Sequence, residues 1–241
     1  MHTIGVNKKD AKMIAHRGVS GLECENSCAA FVAAGNRSYW GIETDVHVTK
    51  DGKFIIIHDD RTGRVSDTDL IVEESTYEAL CSIMLYSDVE NKLPGRRDLV
   101  LPSLSDYIRI CKRYDKVAVL ELKNRMLPKD IERIIAQIKE LDHLHQTVFI
   151  SFSWENIIDL RRLLPTQPIQ FLTGKWTEDL PARLRDNGFG LDIHYSQLNA
   201  ERISLLHSMG IEVNCWTCDD PAAAEGLAEF GIDYITSNIL E

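Results

Sequence analysis

Short apolar runs alternate along most of the chain with stretches in which apolar side chains recur every three or four residues. The runs read as buried strands and the periodic stretches as amphipathic helices. Strands are predicted at 13–16, 41–46, 117–122, 147–151, 169–173, 190–194, 211–216 and 233–236. Ser103 reads as an N-cap with Asp106 in the capping-box position, followed by Leu104, Tyr107, Ile108 and Cys111 along one face. Pro128 suits a first helical turn and opens a second helix with Ile131, Ile134, Ile135 and Ile138 on one side. Eight such repeats in 241 residues match a (β/α)8 TIM barrel, an α/β fold of typically ~250 residues. The competing fold is a doubly wound open sheet, but the glycine-rich phosphate fingerprint that should follow its first strand is missing. The rhythm breaks once, between Val48 and Lys116, where a further strand-like run covers 54–58. With no low-complexity tract or linker, the chain reads as one domain over 1–241 with a small inserted excursion after strand 2, at about 48–116.

Composition narrows the function. At 44% hydrophobic and 27% charged, the chain can bury a core, and global disorder is excluded. Lys and Arg number 27 against 37 Asp and Glu, a net charge of −10 that argues against a nucleic-acid or anionic-membrane partner. No apolar run approaches the roughly 18 residues of a membrane span, and the N-terminus lacks the apolar core of a secretion signal. A cytoplasmic protein without stable membrane insertion is therefore expected, its six cysteines free. Cys215 and Cys218 could form a redox pair or half a zinc site, but no second CxxC exists, so buried thiols are expected. Nothing in the sequence points to an oligomeric state.

The densest chemistry lies in Trp40–Asp60. Glu43 and Asp45 project to one face of a strand, and Lys50-Asp51-Gly52 reads as the turn of a hairpin. If residue 48 pairs with 53, His58 faces Glu43; if 50 pairs with 53, it faces Asp45. Both registers put the imidazole on the carboxylate face. Alone, this could be a solvated hairpin. His16-Arg17-Gly18, Glu121 with Lys123, Ser151-Phe152, His194 and Trp216 also fall at the carboxyl ends of predicted strands, where a barrel builds its active site. Three carboxylates suit a hard cation such as Mg²⁺ or Ca²⁺. Arg17 and Lys123 suit a phosphate, and two histidines suit acid–base work at neutral pH. Metal-assisted cleavage of a phosphate ester is the reaction this set implies.

At these residues the sequence resembles the glycerophosphodiester phosphodiesterases. The matching segments are IAHRG at 14–18, Glu25-Asn26-Ser27 with CAAFVAAG at 28–35, GIETDVHVTKDGKFIIIHDD at 41–60, LPSL at 101–104, LELK at 120–123, Trp216-Thr217 and GIDYITSN at 231–238. The resemblance implies a TIM barrel that hydrolyses glycerophosphodiesters such as glycerophosphocholine and glycerophosphoethanolamine to glycerol 3-phosphate and an alcohol. It implies His16 and His58 as the acid–base pair, and Glu43, Asp45 and Glu121 as ligands of one divalent cation, Mg²⁺ or Ca²⁺ with Mn²⁺ as a further candidate. Arg17 and Lys123 would hold the phosphate of this small-molecule substrate. A glycerol hydroxyl would attack phosphorus to give a cyclic phosphate that water then opens. Cys24 stands where the family usually has proline, and Ser27 where it has threonine. Trp216 is expected to wall the substrate, with Phe152 a weaker candidate; His47 is expected outside the site and His194 to be structural.

Overall fold

The computed structural model describes residues 2–241. Nine strands form one sheet: β1 (Lys12–Ala15), β2 (Gly41–Val48), β3 (Phe54–Ile56), β4 (Val117–Leu122), β5 (Thr147–Ser151), β6 (Ile169–Thr173), β7 (Gly190–His194), β8 (Val213–Trp216) and β9 (Tyr234–Ser237). Eight are parallel and close into a barrel through the β1–β2 and β1–β9 pairings, while β3 hangs antiparallel on the rim end of β2. The barrel expectation is met, and the open sheet is excluded.

Helices α1 (Cys28–Gly35), α2 (Tyr77–Cys81), α3 (Leu104–Arg113), α4 (Pro128–Glu140), α5 (Trp154–Leu163), α6 (Leu180–Asn187), α7 (Ala200–Ser208) and α8 (Pro221–Glu229) follow the strands. Ser103 and Asp106 close the expected capping box on α3, and Pro128 opens α4. The main core lies between strands and helices. There Phe31 of α1 meets Tyr107 of α3 edge-on at 5.1 Å, and the buried Tyr107 hydroxyl donates to the Ile42 carbonyl at 2.7 Å. That bond fixes β2 one residue before Glu43.

An apolar cluster of Ile14, Val119, Val148, Ile150 and Leu172 fills part of the barrel interior, beside a buried polar group of Gln170, Asn214 and Thr236. Between β2 and α3 the inserted segment builds its own small core, in which Ile55, Ile57, Val72, Leu80, Leu85 and Leu99 take part. Asn124 at the end of β4 fastens this segment to the rim by donating to Asp60 and Glu73.

The hairpin register differs from both expected alternatives. Val46 pairs with Ile56, His47 with Ile55 and Val48 with Phe54, one residue away from either reading. The turn is a three-residue loop, Lys50–Gly52: Thr49 N–H donates to the Lys53 carbonyl at 2.8 Å, and Gly52 takes φ 72°. By strand parity this register would put His58 opposite Thr44, away from the carboxylates. The strand stops at Ile56 instead, and His58 reaches the site from the turn that follows.

Candidate active site

At the end of β1 the chain turns sharply through His16, Arg17 and Gly18. Arg17 and Gly18 both adopt left-handed backbone, φ 52° and 75°. A Cβ on Gly18 would lie 2.7 Å from the Ala30 carbonyl carbon, so glycine is what lets α1 pack this close. The Arg17 conformation is costly for a side-chain-bearing residue, and such strain concentrates at functional sites. Here it aims the Arg17 backbone N–H at Glu43 Oε2, 2.8 Å away. Its guanidinium donates to Glu25 at 2.8 Å and lies 3.7 Å from Asp45. Asn26, also left-handed at φ 51°, donates to Asp45 Oδ2 at 2.8 Å and accepts from Thr44 at 2.6 Å.

Glu43 and Asp45 project from β2, and Asp45 lies in register with Glu121 of β4. One oxygen from each of the three buried carboxylates lies within 4.8 Å of the others. Lys123 Nζ is 2.9 Å from Glu121 and 3.5 Å from Asp45, so it is both an ion pair and part of the rim. Burial, then the charges of Asp45 and Glu121, push Glu43 well above the usual carboxylate range. Burial and Asp45 raise Glu121 to about 8 despite Lys123. For Asp45 burial acts the same way, but Lys123, Arg17 and His58 outweigh it and hold the carboxyl far below its ordinary value. Asp45 Oδ1 is buried and accepts no hydrogen bond among the described residues. Three oxygen donors with too little positive charge between them and one unpartnered lone pair are a donor set that a hard divalent cation fits.

The two imidazoles are backed differently. His16 Nδ1 faces Asn238 Oδ1 at 2.7 Å, and that oxygen also accepts from Ser20, so Nδ1 carries the hydrogen. Its Nε2 lone pair is 3.9 Å from Glu43 Oε2. Burial and the Arg17 charge lower His16 to about 4, leaving it neutral at pH 7. His58 Nδ1 donates to the Asp59 carboxylate at 2.6 Å, and Arg64 in turn donates to Asp59 at 2.6 Å. Burial lowers His58, helped by Arg17 and Lys123 and opposed by Asp45 and Asp59.

A cavity of about 160 Å³ joins these groups. His16, Arg17, Glu43, His58 and Glu121 line one side; Ile150, Phe152, Leu172 and Trp216 line the other, with Asp192 between β6 and β8. Trp216 meets Phe152 edge-on at 5.6 Å and His194 at 5.4 Å. A larger hollow of about 520 Å³ lies where β6 and β7 begin, lined by Arg161, Gln170, Glu212 and neighbours, without any histidine or carboxylate trio.

The structure thus places His16, Arg17, Glu43, Asp45, His58, Glu121, Lys123 and Trp216 at one end of the barrel. His47 is buried and turned toward Glu73, and His194 Nδ1 lies against Ser196, both outside the cavity lining. Cys215 and Cys218 are buried free thiols, pushed up by burial, Cys218 to about 11. Asn26, Asp59 and Asn238 sat inside motifs visible in the sequence but carried no assigned task there. Asp192 gave one signal, a carboxylate between the apolar Leu191 and Ile193 at an inward position of the run GLDIH.

A rim that sets buried carboxylates beside two cations and two imidazoles over a half-apolar cavity equips an enzyme that handles an anionic ester. The chain belongs to the Glycerophosphoryl diester phosphodiesterase family, whose pattern it matches over residues 16–240, and it is a hydrolase of that class. The glycerophosphodiester phosphodiesterase of Caldanaerobacter subterraneus subsp. tengcongensis is 27% identical over 229 residues, spanning 94% of this chain and 93% of that protein. A crystal structure of a glycerophosphodiester phosphodiesterase from Parabacteroides distasonis superposes with a TM-score of 0.80 at 27% identity, covering 95% of this chain and 93% of the other. A phosphodiesterase from Oleispira antarctica, solved with its product sn-glycerol-3-phosphate, shares the fold at TM-score 0.82 and 24% identity, over 98% of this chain and 96% of the other.

Proposed function

We propose that the protein hydrolyses glycerophosphodiesters with small head groups, such as glycerophosphocholine and glycerophosphoethanolamine, to glycerol 3-phosphate and the free alcohol. The observation that carries this reading is that Glu43, Glu121, two imidazoles and Arg17 line one cavity, with Asp45 and Lys123 directly behind the two carboxylates. The product bound to the Oleispira relative supports it.

Glu43, Asp45 and Glu121 would hold one divalent cation, Mg²⁺ or Ca²⁺, with Mn²⁺ as a third candidate. When bound, such an ion neutralises charge on the phosphoryl oxygens and acidifies a hydroxyl beside it. Arg17 and Lys123 grip the phosphate, Arg17 through a fork held by Glu25. His16, neutral and with its Nε2 lone pair free, takes the proton of the glycerol hydroxyl adjacent to the phosphate-bearing carbon. That oxygen attacks phosphorus and forms a cyclic phosphate as the head-group alcohol departs. His58 enters this step as the imidazolium and supplies its Nε2 proton to the leaving oxygen, because Asp59 behind it stabilises that charged form whereas Asn238 behind His16 does not. Water opens the cyclic phosphate with the two roles reversed.

The test is product analysis of the purified protein on both substrates with Mg²⁺, Ca²⁺ and Mn²⁺ in turn, following phosphorus by NMR. Glycerol 3-phosphate released in a cation-dependent way, abolished by chelator and by His16→Ala or His58→Ala, is the expected result. Turnover that survives the double histidine variant would overturn the assignment.

A further inference from the structure

On β7 the positions facing the barrel interior include Asp192, which stands in register with Leu172 of β6 and Asn214 of β8. Leu172 has nothing to donate, and Asn214 is engaged elsewhere: its amide nitrogen donates to Gln170 at 3.3 Å and its oxygen accepts from Thr236 at 3.2 Å. The Asp192 carboxyl therefore has no hydrogen bond to any described side chain. It is 2% exposed, its Oδ1 is sealed and unpartnered, and the residue lines the cavity opposite the histidines.

One inward step further up β8 from Asn214 stands Trp216, whose indole N–H is also buried without a partner. Two neighbouring strands thus bring an orphaned acceptor and an orphaned donor to one cavity wall, where the other surfaces are the apolar Ile150, Phe152 and Leu172. A buried polar group left unmatched calls for an explanation, and beside a cavity a ligand group that completes the hydrogen bond supplies one.

We propose that Asp192 and the Trp216 indole form a subsite for the free terminal hydroxyl of the substrate's glycerol. The inference rests on the phosphodiesterase reading above and extends it. A hydroxyl donates to the carboxyl and accepts from the indole N–H at once, and its carbon chain suits the apolar surfaces. A trimethylammonium group has no hydrogen for Asp192, and a primary ammonium cannot accept from the indole. The phosphate is claimed by Arg17 and Lys123 on the opposite side. The hydroxyl next to the phosphate-bearing carbon is the attacking group, so the terminal hydroxyl is the one that reaches the far wall. The subsite reads the glycerol half of the substrate, which every glycerophosphodiester shares, and is indifferent to the head group.

The test compares glycerophosphocholine with its deoxy analogue, propane-1,2-diol phosphocholine, which keeps the attacking hydroxyl and the head group but lacks the terminal hydroxyl. The wild-type protein should prefer the glycerol substrate in kcat/KM by about 10- to 100-fold, the range for leaving buried polar groups without their hydrogen-bond partner. Asp192→Leu should lose that preference by slowing the glycerol substrate while leaving the deoxy analogue close to its wild-type rate. Asp192→Asn, which keeps the shape and one acceptor, should fall between and carries the comparison should leucine disturb the packing. Equal losses on both substrates would assign Asp192 a structural role and overturn the subsite. So would a change confined to the choline-to-ethanolamine ratio, which would make it a head-group site. A wild-type protein inactive on both substrates with every cation would overturn the phosphodiesterase reading itself, and the subsite with it.

Discussion

The guanidinium of Arg64 grips the Glu25 carboxylate with two hydrogen bonds, each 2.8 Å. The same guanidinium donates to Asp59 at 2.6 Å, and these two acids are the ones that hold Arg17 and His58. A single side chain from the inserted segment thus ties together the carboxylates that hold Arg17 and His58, two residues in the turns after β1 and β3.

Arg64→Ala should therefore lower kcat/KM by about 10- to 100-fold, the scale of an ångström-level misplacement of reacting groups. Melting should barely change, since exposed ion pairs contribute little. Arg64→Lys keeps the charge but not the two-pronged geometry and should recover only part of the rate. Steady-state kinetics alongside a thermal melt decide this. Full turnover in the alanine variant would show that the clamp has no positioning role.

The carboxylate trio gives a pH dependence whose sign can be worked out. Burial and Asp45 raise Glu121 from its ordinary 4.5 to about 8, and Glu43 moves the same way. Between those values the folded chain holds protons that the unfolded chain has released, so stability drains away as pH rises through the window. Asp45 acts oppositely: its contribution is present at neutral pH and is lost on strong acidification. In chelator the melting temperature should fall between about pH 5 and pH 8. The upward shift produced by saturating Mg²⁺ should widen over the same interval, because the ion displaces those protons. Scanning calorimetry at several pH values with and without the ion measures both, and a shift independent of pH would contradict the protonated trio.

Asp192 predicts an exchange of stability for function. Its carboxyl is buried without a partner, and burial, with Glu121, holds it well above the ordinary carboxylate range. Asp192→Asn removes the ionisable group and should stabilise the ligand-free protein by about 1–3 kcal/mol. For a chain of this size that is about 2–4 °C per kcal/mol. A melt that drops instead would mean that the carboxyl is anchoring the barrel.

Gly18→Ala should be costly in both respects. The new Cβ meets the α1 backbone at 2.7 Å and the residue must hold φ 75°. A loss of about 2–4 kcal/mol follows from overpacking plus left-handed backbone. Arg17 should lose its aim at Glu43, so activity measured well below the new melting point should fall as well.

Much of this was legible in the residues. Each barrel strand is an apolar run bounded by polar or helical pattern, and their carboxyl ends are where His16, Glu43, Glu121 and Trp216 fall. The register of the β2–β3 hairpin was not, because two- and four-residue turns satisfy Lys50-Asp51-Gly52 as naturally as the three-residue turn that forms. What decides is the closure of Thr49 on Lys53, a backbone bond with no side-chain signature apart from the supporting Thr49 hydroxyl, 2.9 Å from Lys53 N. His58 was placed on the right side through the wrong construction: the turn after β3 brings it in, not strand parity. Asp192 was hidden for a different reason. Its significance is the lack of any partner, and a sequence does not show which of its neighbours are already occupied.

The closing of the barrel divides the labour between its halves. His16, Arg17, Glu25, Asn26, Glu43, Asp45, His58, Asp59 and Arg64 all come from the first 64 residues, with Glu121 and Lys123 completing the set. Ile150, Phe152, Leu172, Asp192 and Trp216, which wall the other side of the cavity, come from β5 to β8 and the loop after β5. The charged and the largely apolar sides of the cavity are therefore written in separate stretches of the sequence. If the wall reads the glycerol half as proposed, variation in the later stretch alters how that half is held while the earlier stretch keeps its geometry.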